Sequence, residues 1–152
     1  MVQFSTVISR CFDMQQWDEH SAKVSKITPD KEKARSLLQL VELREKDLLA
    51  KSEEFATLMV EGYYEIIKEL ITAIMGIDGY KTVSHELLVG YLARFYQDFS
   101  PAEVQIIDQL RKIRNDIDYR GVMISPEYVT RNKHFILRII SKLKAVVTKK
   151  LP

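Results

Sequence analysis

Apolar residues recur every three or four positions along most of the chain, and this spacing places them on one face of an α-helix. The clearest run comprises Leu58, Met59, Tyr63, Ile66, Ile67, Leu70 and Ile74. The same spacing continues on both sides of this run. We therefore expect helices at about residues 4–26, 29–50, 53–76, 83–97, 101–119 and 126–148.

Capping residues mark the starts of three of these helices. Ser100 and Glu103 form the capping-box pattern, in which each side chain accepts a hydrogen bond from the backbone amide of the other residue. Pro101 fits the first helical position. Residues 28–30 (Thr-Pro-Asp) and 125–127 (Ser-Pro-Glu) repeat this start signal.

Glycines mark the ends of two helices. Gly76 and Gly79 bracket the end of the central helix, and Gly121 follows the helix that begins at Pro101. Because the connections are short, consecutive helices are expected to run antiparallel. The predicted fold is an all-α, up-and-down antiparallel bundle of about six helices without a sheet. It is expected to be a single domain, with residues 1–27 as a helical extension to a bundle of residues 28–150.

The composition is that of an ordinary folded protein, with 46% hydrophobic and 29% charged residues. The formal net charge is only +2. The charge of the whole molecule therefore does not favour nucleic-acid binding through many phosphates. A site for RNA or a nucleotide must be local.

Three features favour a cytoplasmic protein without a membrane partner. The only cysteine, Cys11, cannot form an internal disulfide. The N-terminus lacks the basic segment and apolar run of a signal peptide. Residues 70–77 are the longest nearly uncharged apolar stretch, far shorter than the ~18 residues that span a bilayer.

The helix at residues 101–119 carries two different faces. A helical projection aligns four apolar residues on one narrow face, which is expected to meet the core: Ile106, Leu110, Ile113 and Ile117. The second face holds the candidate binding residues Arg111, Arg114, Asn115 and Asp118, with Tyr119 at its edge.

The second face also contains aliphatic residues, Val104 and Ile107, in line with Arg111. Aliphatic side chains are unusual on a solvated face, so another helix, a ligand or a second subunit is expected to cover them. A second subunit would make the protein a homodimer. A simpler interpretation is that Arg114 and Asp118 form only an exposed i,i+4 salt bridge.

Three segments of the chain form an ordered set that can be compared with a known family. They are the aromatic helix of residues 62–75, the glycine loop of residues 79–85, and residues 114–121, where Arg114 precedes Asp118-Tyr119 after three spacer residues. This set resembles the HEPN family of small helical bundles, in particular a prokaryotic branch with the Arg, spacer, Asp-Tyr signature.

The resemblance implies a nucleic-acid or nucleotide-associated module. Family members act as homodimers, and many pair with a small nucleotidyltransferase in toxin–antitoxin systems, which is the partner implied here. In a two-fold cleft Arg114 would contact phosphate beside Arg111, Asn115 would hold it by hydrogen bonds, and Asp118 would orient Arg114. Tyr119 would line the site.

Tyr119 departs from the signature of the active family members. These resemble metal-independent ribonucleases and use a histidine after the arginine, whereas here Tyr119 follows Arg114 after four intervening residues. The pKa of tyrosine, about 10, makes it a poorer base at neutral pH than histidine, at about 6.5. Two alternatives remain: a ribonuclease with an altered site, containing Arg114 and Tyr119, or a non-catalytic dimerisation or docking scaffold.

The three histidines are spread along the chain. His85 lies at the start of a predicted helix, where capping or packing explains it. His20 and His134 lie in other predicted helices, and each is a candidate to approach Arg114 in space. No pair has the spacing of a helical zinc site, and no glycine-rich phosphate loop is present. We expect neither a metal nor a cofactor.

Overall fold

Helices make up most of the computed structural model, which describes residues 16–152. In chain order, the elements are strand β1 (Val24–Lys26), helix α1 (Lys31–Leu49), a short 3₁₀ helix (Glu53–Phe55), helix α2 (Ala56–Asp78), strand β2 (Tyr80–Thr82), and helices α3 (His85–Phe95), α4 (Pro101–Arg120) and α5 (Pro126–Lys150). The mainly helical architecture confirms the all-α prediction at this coarse level.

Helix α2 is the centre of the fold, and it packs against each of the other four helices. Its sequence is apolar around most of its circumference, as expected for a helix that is surrounded by protein. Val60, Ile66, Ile67, Leu70 and Ile74 are completely buried along it. No helix within residues 16–152 is both long and apolar enough to cross a lipid bilayer.

The capping signals locate most of the helix ends correctly. Ser100 and Glu103 form both hydrogen bonds of the capping box at the start of α4. Helix α1 starts slightly later than predicted, because Asp30 is its N-cap and accepts a hydrogen bond from the amide of Lys33 at 2.9 Å. Gly79 and Gly121 end α2 and α4 with positive φ angles of 92° and 63°, which cost glycine little.

A two-stranded antiparallel sheet replaces part of the predicted first helix. Val24 pairs with Thr82, and Lys26 pairs with Tyr80. The prediction of a helix through residue 26 and of a bundle without a sheet is therefore wrong over residues 16–26, while residues 4–15 lie outside the described part. The backbone groups of β1 bond to β2, and Trp17 packs on Tyr91 with ring centroids 4.9 Å apart.

Helices α1 and α2 run antiparallel, as their short connection predicts. The start of α1 lies at the end of α2, where the amide of Asp30 donates to the carbonyl of Gly76 at 3.0 Å. The end of α1 lies near the start of α2, where Leu48 contacts Gly62.

Helices α2 and α3 instead run in the same direction. His85 at the start of α3 lies beside Tyr64 in the first half of α2, with ring centroids 5.9 Å apart. The hydroxyl of Tyr91, further along α3, donates to Asp78 at the end of α2. The expected antiparallel order is wrong for this pair of helices. Between α2 and α3, the segment that contains β2 runs back along α2, so α3 starts beside the first half of α2 and follows the same direction. This return places the first turn of α3 beside the middle of α4.

Candidate functional site

Helix α4 is covered on its second face, for which another helix, a ligand or a second subunit is expected from the sequence. Val104 is 5% exposed, Ile107 is 0% exposed and Arg111 is 6% exposed. Helices α2 and α3 of the same chain pack against α4. Helices of the same chain therefore cover these aliphatic residues. Their apolar character gives no support for a dimer.

The face of α4 that was expected to meet the core is only partly buried. Leu110 is 0% exposed, but Ile106, Ile113 and Ile117 are half-buried. The expected core face does meet the core, since Leu110 belongs to the core and Ile106 and Ile113 pack against it, but the second face is buried more deeply. Apolar periodicity alone cannot say which of two apolar stripes lies deeper.

Arg111 is the buried member of an ion-pair network. Its Nε donates to Oδ1 of Asp108 at 2.8 Å, and its Nη1 lies 3.6 Å from Oε1 of Glu86 on α3. A buried charge requires such partners. This arrangement fits a residue that ties α4 to α3 rather than the direct phosphate contact expected from the sequence.

Arg114, one turn further along α4, is more accessible. Its Nε lies 3.2 Å from Oδ2 of Asp118, which is the i,i+4 pair expected from the spacing. Its Nη2 lies 3.4 Å from Oε1 of Glu65 on α2, and 24% of its side chain is exposed. The pair is therefore not a simple surface salt bridge, because α2 supplies a second carboxylate and covers part of the guanidinium.

His85 reaches this cluster from the first turn of α3. Its side chain is half-buried and lies among residues of α2 and α4. Lys68 of α2 bonds to Glu65 beside it. We call the surface formed by these side chains the charged face; it comprises Glu61, Glu65, Lys68, His85, Arg114 and Asp118.

Burial and nearby cations lower the pKa of His85 below its ordinary value. Burial is the largest cause, and the positive charges of Lys68, Arg114 and Arg111 act in the same direction, while Glu65 opposes them. The imidazole is therefore held in its neutral form, in which one ring nitrogen is a proton acceptor. This is the protonation state that a general base requires.

Glu61 and Asp118 form a carboxyl pair at the edge of the charged face. The pKa of Glu61 is raised, first by burial and then by its hydrogen bond with Asp118 and the negative charge of Asp118, while Arg114 opposes the shift. The negative charge of Asp118 thus disfavours the ionised form of Glu61.

The remaining residues expected at the site lie further from its centre. Tyr119 is 83% exposed, so within one chain it does not line the charged face. Asn115 is half-buried on α4. Among residues 16–152, neither side chain forms a hydrogen bond with Arg114 or Asp118.

His20 and His134 do not join the charged face. His20 is exposed, and its Nε2 lies 3.5 Å from Oε1 of Glu19. His134 is an exposed residue of α5. Of the three histidines, His85 is the one that the fold brings to Arg114.

The sequence contained a signal for the α2 half of the site. Glu61, Glu65 and Lys68 are spaced i, i+4 and i+7 on a mainly apolar helix, so they share one polar stripe. His85 carried no such signal. Its position depends on the return of the chain through β2, which periodicity does not reveal.

Carboxylates outnumber the cations at this surface. With His85 neutral and the other groups ionised, the charged face has the two cations Lys68 and Arg114 and the three carboxylates Glu61, Glu65 and Asp118. An incoming phosphate would have to replace Glu65 or Asp118 at Arg114. The geometry is thus suited to a single local phosphate contact and not to an extended nucleic-acid track.

Within the part of the chain that the structure describes, no three His, Cys, Asp or Glu side chains come together to hold a metal ion. No protein-family model, no curated protein and no solved structure matches the chain.

Proposed function

We propose that the charged face binds a phosphate group of RNA or a nucleotide, and that the protein is a HEPN-type nucleic-acid or nucleotide-associated module. The proposal rests on one observation. Arg114 of α4 and His85 of α3 contribute to the same half-buried surface. A guanidinium presents a planar set of donors that matches phosphate oxygens. His85 adds a polar side chain next to the bound phosphate.

The partners of Arg114 have distinct roles in this proposal. Asp118 lies on the same helix and orients the guanidinium through Nε, while Nη2 faces Glu65 of α2. Glu65 holds one of these terminal nitrogens in the absence of ligand. Phosphate then competes with Glu65, while Asp118 stays in place. Arg111 supports the site indirectly, because its ion pair with Glu86 joins α4 to α3.

A metal-independent ribonuclease is the second candidate function, and the position of His85 favours it. Histidine is missing from the family-like signature, but His85 of a different helix lies near enough to Arg114 for the positive charge of Arg114 to help lower the pKa of the imidazole. In this reaction His85 would accept the proton of the ribose 2′ hydroxyl as its oxygen attacks phosphorus, and Arg114 would stabilise the negative charge on the phosphate. The bond from phosphorus to the 5′ oxygen of the next nucleotide would break, leaving a 2′,3′-cyclic phosphate, and the leaving 5′ oxygen would take a proton from solvent. Tyr119 has no role in this version of the site.

The homodimer and the nucleotidyltransferase partner rest on the family resemblance. The proposed toxin–antitoxin role has the same basis. The proposed cytoplasmic location also draws on the single cysteine of the sequence. If two copies associate through α4, the exposed Tyr119 of each copy is well placed to enter the interface. In that arrangement Tyr119 and Asn115 lie near the phosphate, as the family resemblance implies.

Binding of a fluorescently labelled single-stranded RNA and of a nucleotide tests the proposal. We expect Arg114→Ala to weaken binding tenfold to a hundredfold, or about 1.5 to 3 kcal/mol, because a charge-assisted contact is lost. Arg138→Ala is the matched control, since Arg138 is an exposed arginine of α5. Glu65→Gln should strengthen binding severalfold, because the competing carboxylate is removed.

Equal affinity of the parent and Arg114→Ala, or no binding by the parent, would leave the non-catalytic scaffold as the better explanation. Cleavage of the same RNA in the presence of a chelator tests the enzyme candidate. His85→Gln should abolish cleavage and retain binding if His85 is the base. Unchanged cleavage in His85→Gln would exclude this role.

A further inference from the structure

A second surface of α2 borders a cleft that is separate from the charged face. The cleft lies between α1, α2 and α5 and has a volume of about 280 Å³. This volume is near the lower end of the range for small-molecule sites. Its apolar lining comes from Leu48 and Leu49 of α1, Tyr63 and Ile66 of α2, and Leu137 and Ile140 of α5.

Two of these apolar side chains are exposed to an unusual extent. Leu49 is 81% exposed and Leu137 is 43% exposed, and both lie at the mouth of the cleft. Ile66 and Ile140, by contrast, are 0% and 3% exposed and form its floor. An apolar ligand would remove the exposed leucine surface from water and fill the space above the floor.

A polar group without a partner lies in the same cleft. Tyr63 is 3% exposed, and within residues 16–152 its hydroxyl forms no hydrogen bond. Burial alone raises the pKa of Tyr63, and no neighbouring donor, acceptor or charge offsets that shift. The hydroxyl oxygen itself keeps contact with solvent, because within residues 16–152 only Oε2 of Glu103 is a fully buried side-chain oxygen or nitrogen without a partner. This hydroxyl is therefore a neutral donor that a ligand in the cleft can reach in place of water.

The rim of the cleft carries a net positive charge. Lys144 binds Glu45 at 3.0 Å, so these two charges cancel. Lys133, three turns earlier on α5, also lines the cleft, and no acidic side chain within residues 16–152 pairs with it. One lysine thus remains available to pair with an anionic ligand.

We propose that this cleft binds a small amphipathic carboxylate, with its apolar body against Ile66 and Ile140 and its carboxylate held by the Tyr63 hydroxyl and Lys133. The apolar lining favours a ligand with an apolar body. The Tyr63 hydroxyl, as the single donor, and Lys133, as the single cation, favour one compact anionic group on that ligand. A medium-chain fatty acid or a small aromatic acid has this chemistry. The site shares no residue with the charged face, so each of the two proposals stands or fails without the other.

Calorimetric titration with octanoate and with the neutral 1-octanol tests the cleft. We expect the parent protein to bind octanoate at least fivefold more tightly than octanol, because only the anion pairs with Lys133. Lys133→Gln should weaken octanoate binding about tenfold and leave octanol binding unchanged. Tyr63→Phe should weaken octanoate binding by a similar factor. Lys149→Gln and Tyr128→Phe are matched controls that should change neither affinity.

A variant that blocks the cleft tests the proposal even if substitution of the buried Tyr63 disturbs folding. Leu137→Trp places a larger side chain at the mouth of the cleft, where the parent residue is already partly exposed. It should abolish binding of both ligands in a protein with an unchanged helical circular-dichroism spectrum. Equal affinity for octanoate and octanol, or no octanoate binding at millimolar concentration, would overturn the proposal.

Discussion

Two arginines one turn apart on α4 have different physical roles. Arg111 is 6% exposed and faces Asp108 and Glu86 in a setting with little water. Arg114 keeps 24% of its side chain exposed and shares two carboxylates that it can release. Their positions in the sequence do not separate them, since both lie on the same face of the helix. The difference comes from their partners on other helices, because Arg111 pairs with Glu86 of α3 and Arg114 pairs with Glu65 of α2.

This contrast predicts different effects of the two alanine substitutions on the free energy of unfolding. Arg111→Ala should cost about 3 kcal/mol, because it leaves the buried Asp108 with only the exposed Lys112 as an ionic partner. Arg114→Ala should cost about 1 kcal/mol or less, as for a solvent-accessible pair. Urea denaturation of both variants and of the Arg138→Ala control measures this. Equal losses for Arg111→Ala and Arg114→Ala would contradict the assigned burial.

Two glycines of α2 allow a prediction at the level of a single helix. A Cβ at position 62 would lie 2.7 Å from Cδ2 of Leu48, whereas a Cβ at position 76 would have no neighbour within 4 Å. Both substitutions gain helix propensity. Gly62 therefore serves the close approach of α1 to α2, and Gly76 does not.

Gly76→Ala should accordingly stabilise the protein by about 0.5 to 1 kcal/mol. Gly62→Ala should be less stable than Gly76→Ala by at least about 1 kcal/mol, because Leu48 must move in a packed interface. Thermal unfolding of the two variants gives the difference directly. If Gly62→Ala is as stable as Gly76→Ala, α1 does not pack against α2 as described.

Helices with strong local signals could be predicted from the sequence, and elements set by distant contacts could not. The capping box at Ser100 and the glycine end at Gly121 are formed by residues that are neighbours in the chain. Strand β1 has three residues and depends on its pairing with β2, far away in the sequence. A segment this short has no measurable alternation, so the sequence pattern predicts that the first helix continues through residues 16–26.

The same rule explains which site residues could be predicted. Arg114 and Asp118 are one helical turn apart, and their pairing follows from the spacing alone. Glu65 and His85 come from two other helices. Their approach depends on how α2, α3 and α4 are arranged, and the direction of α3 differs from the expected antiparallel order.

At the scale of the whole molecule, α2 separates two surfaces. Its polar stripe of Glu61, Glu65 and Lys68 contributes to the charged face between α3 and α4. Tyr63 and Ile66 border the cleft between α1 and α5. A phosphate-bearing ligand and an apolar ligand can thus be bound by one small chain without competing for the same side chains.

Association of two chains is the prediction that belongs to this scale. The proposed homodimer should have twice the monomer mass of 17.7 kDa in multi-angle light scattering. Tyr119→Glu should shift the equilibrium towards monomers, because it places a charge on an exposed apolar residue of the proposed interface. A mass of one chain at all concentrations up to the millimolar range would exclude the homodimer and leave the phosphate site to a single chain.

The most direct test of the account is the titration of His85 followed by NMR, with its signal assigned by its loss in His85→Gln. Without ligand, the pKa of His85 should lie below its ordinary value, and Arg114→Ala should raise it because one neighbouring positive charge is removed. Saturation with a nucleotide should raise the pKa of His85 in the parent, since the phosphate brings negative charge beside the imidazole, and should have no effect in Arg114→Ala. A His85 titration that is unchanged in the parent by saturating nucleotide would contradict the claim that Arg114 and His85 form one phosphate-binding site.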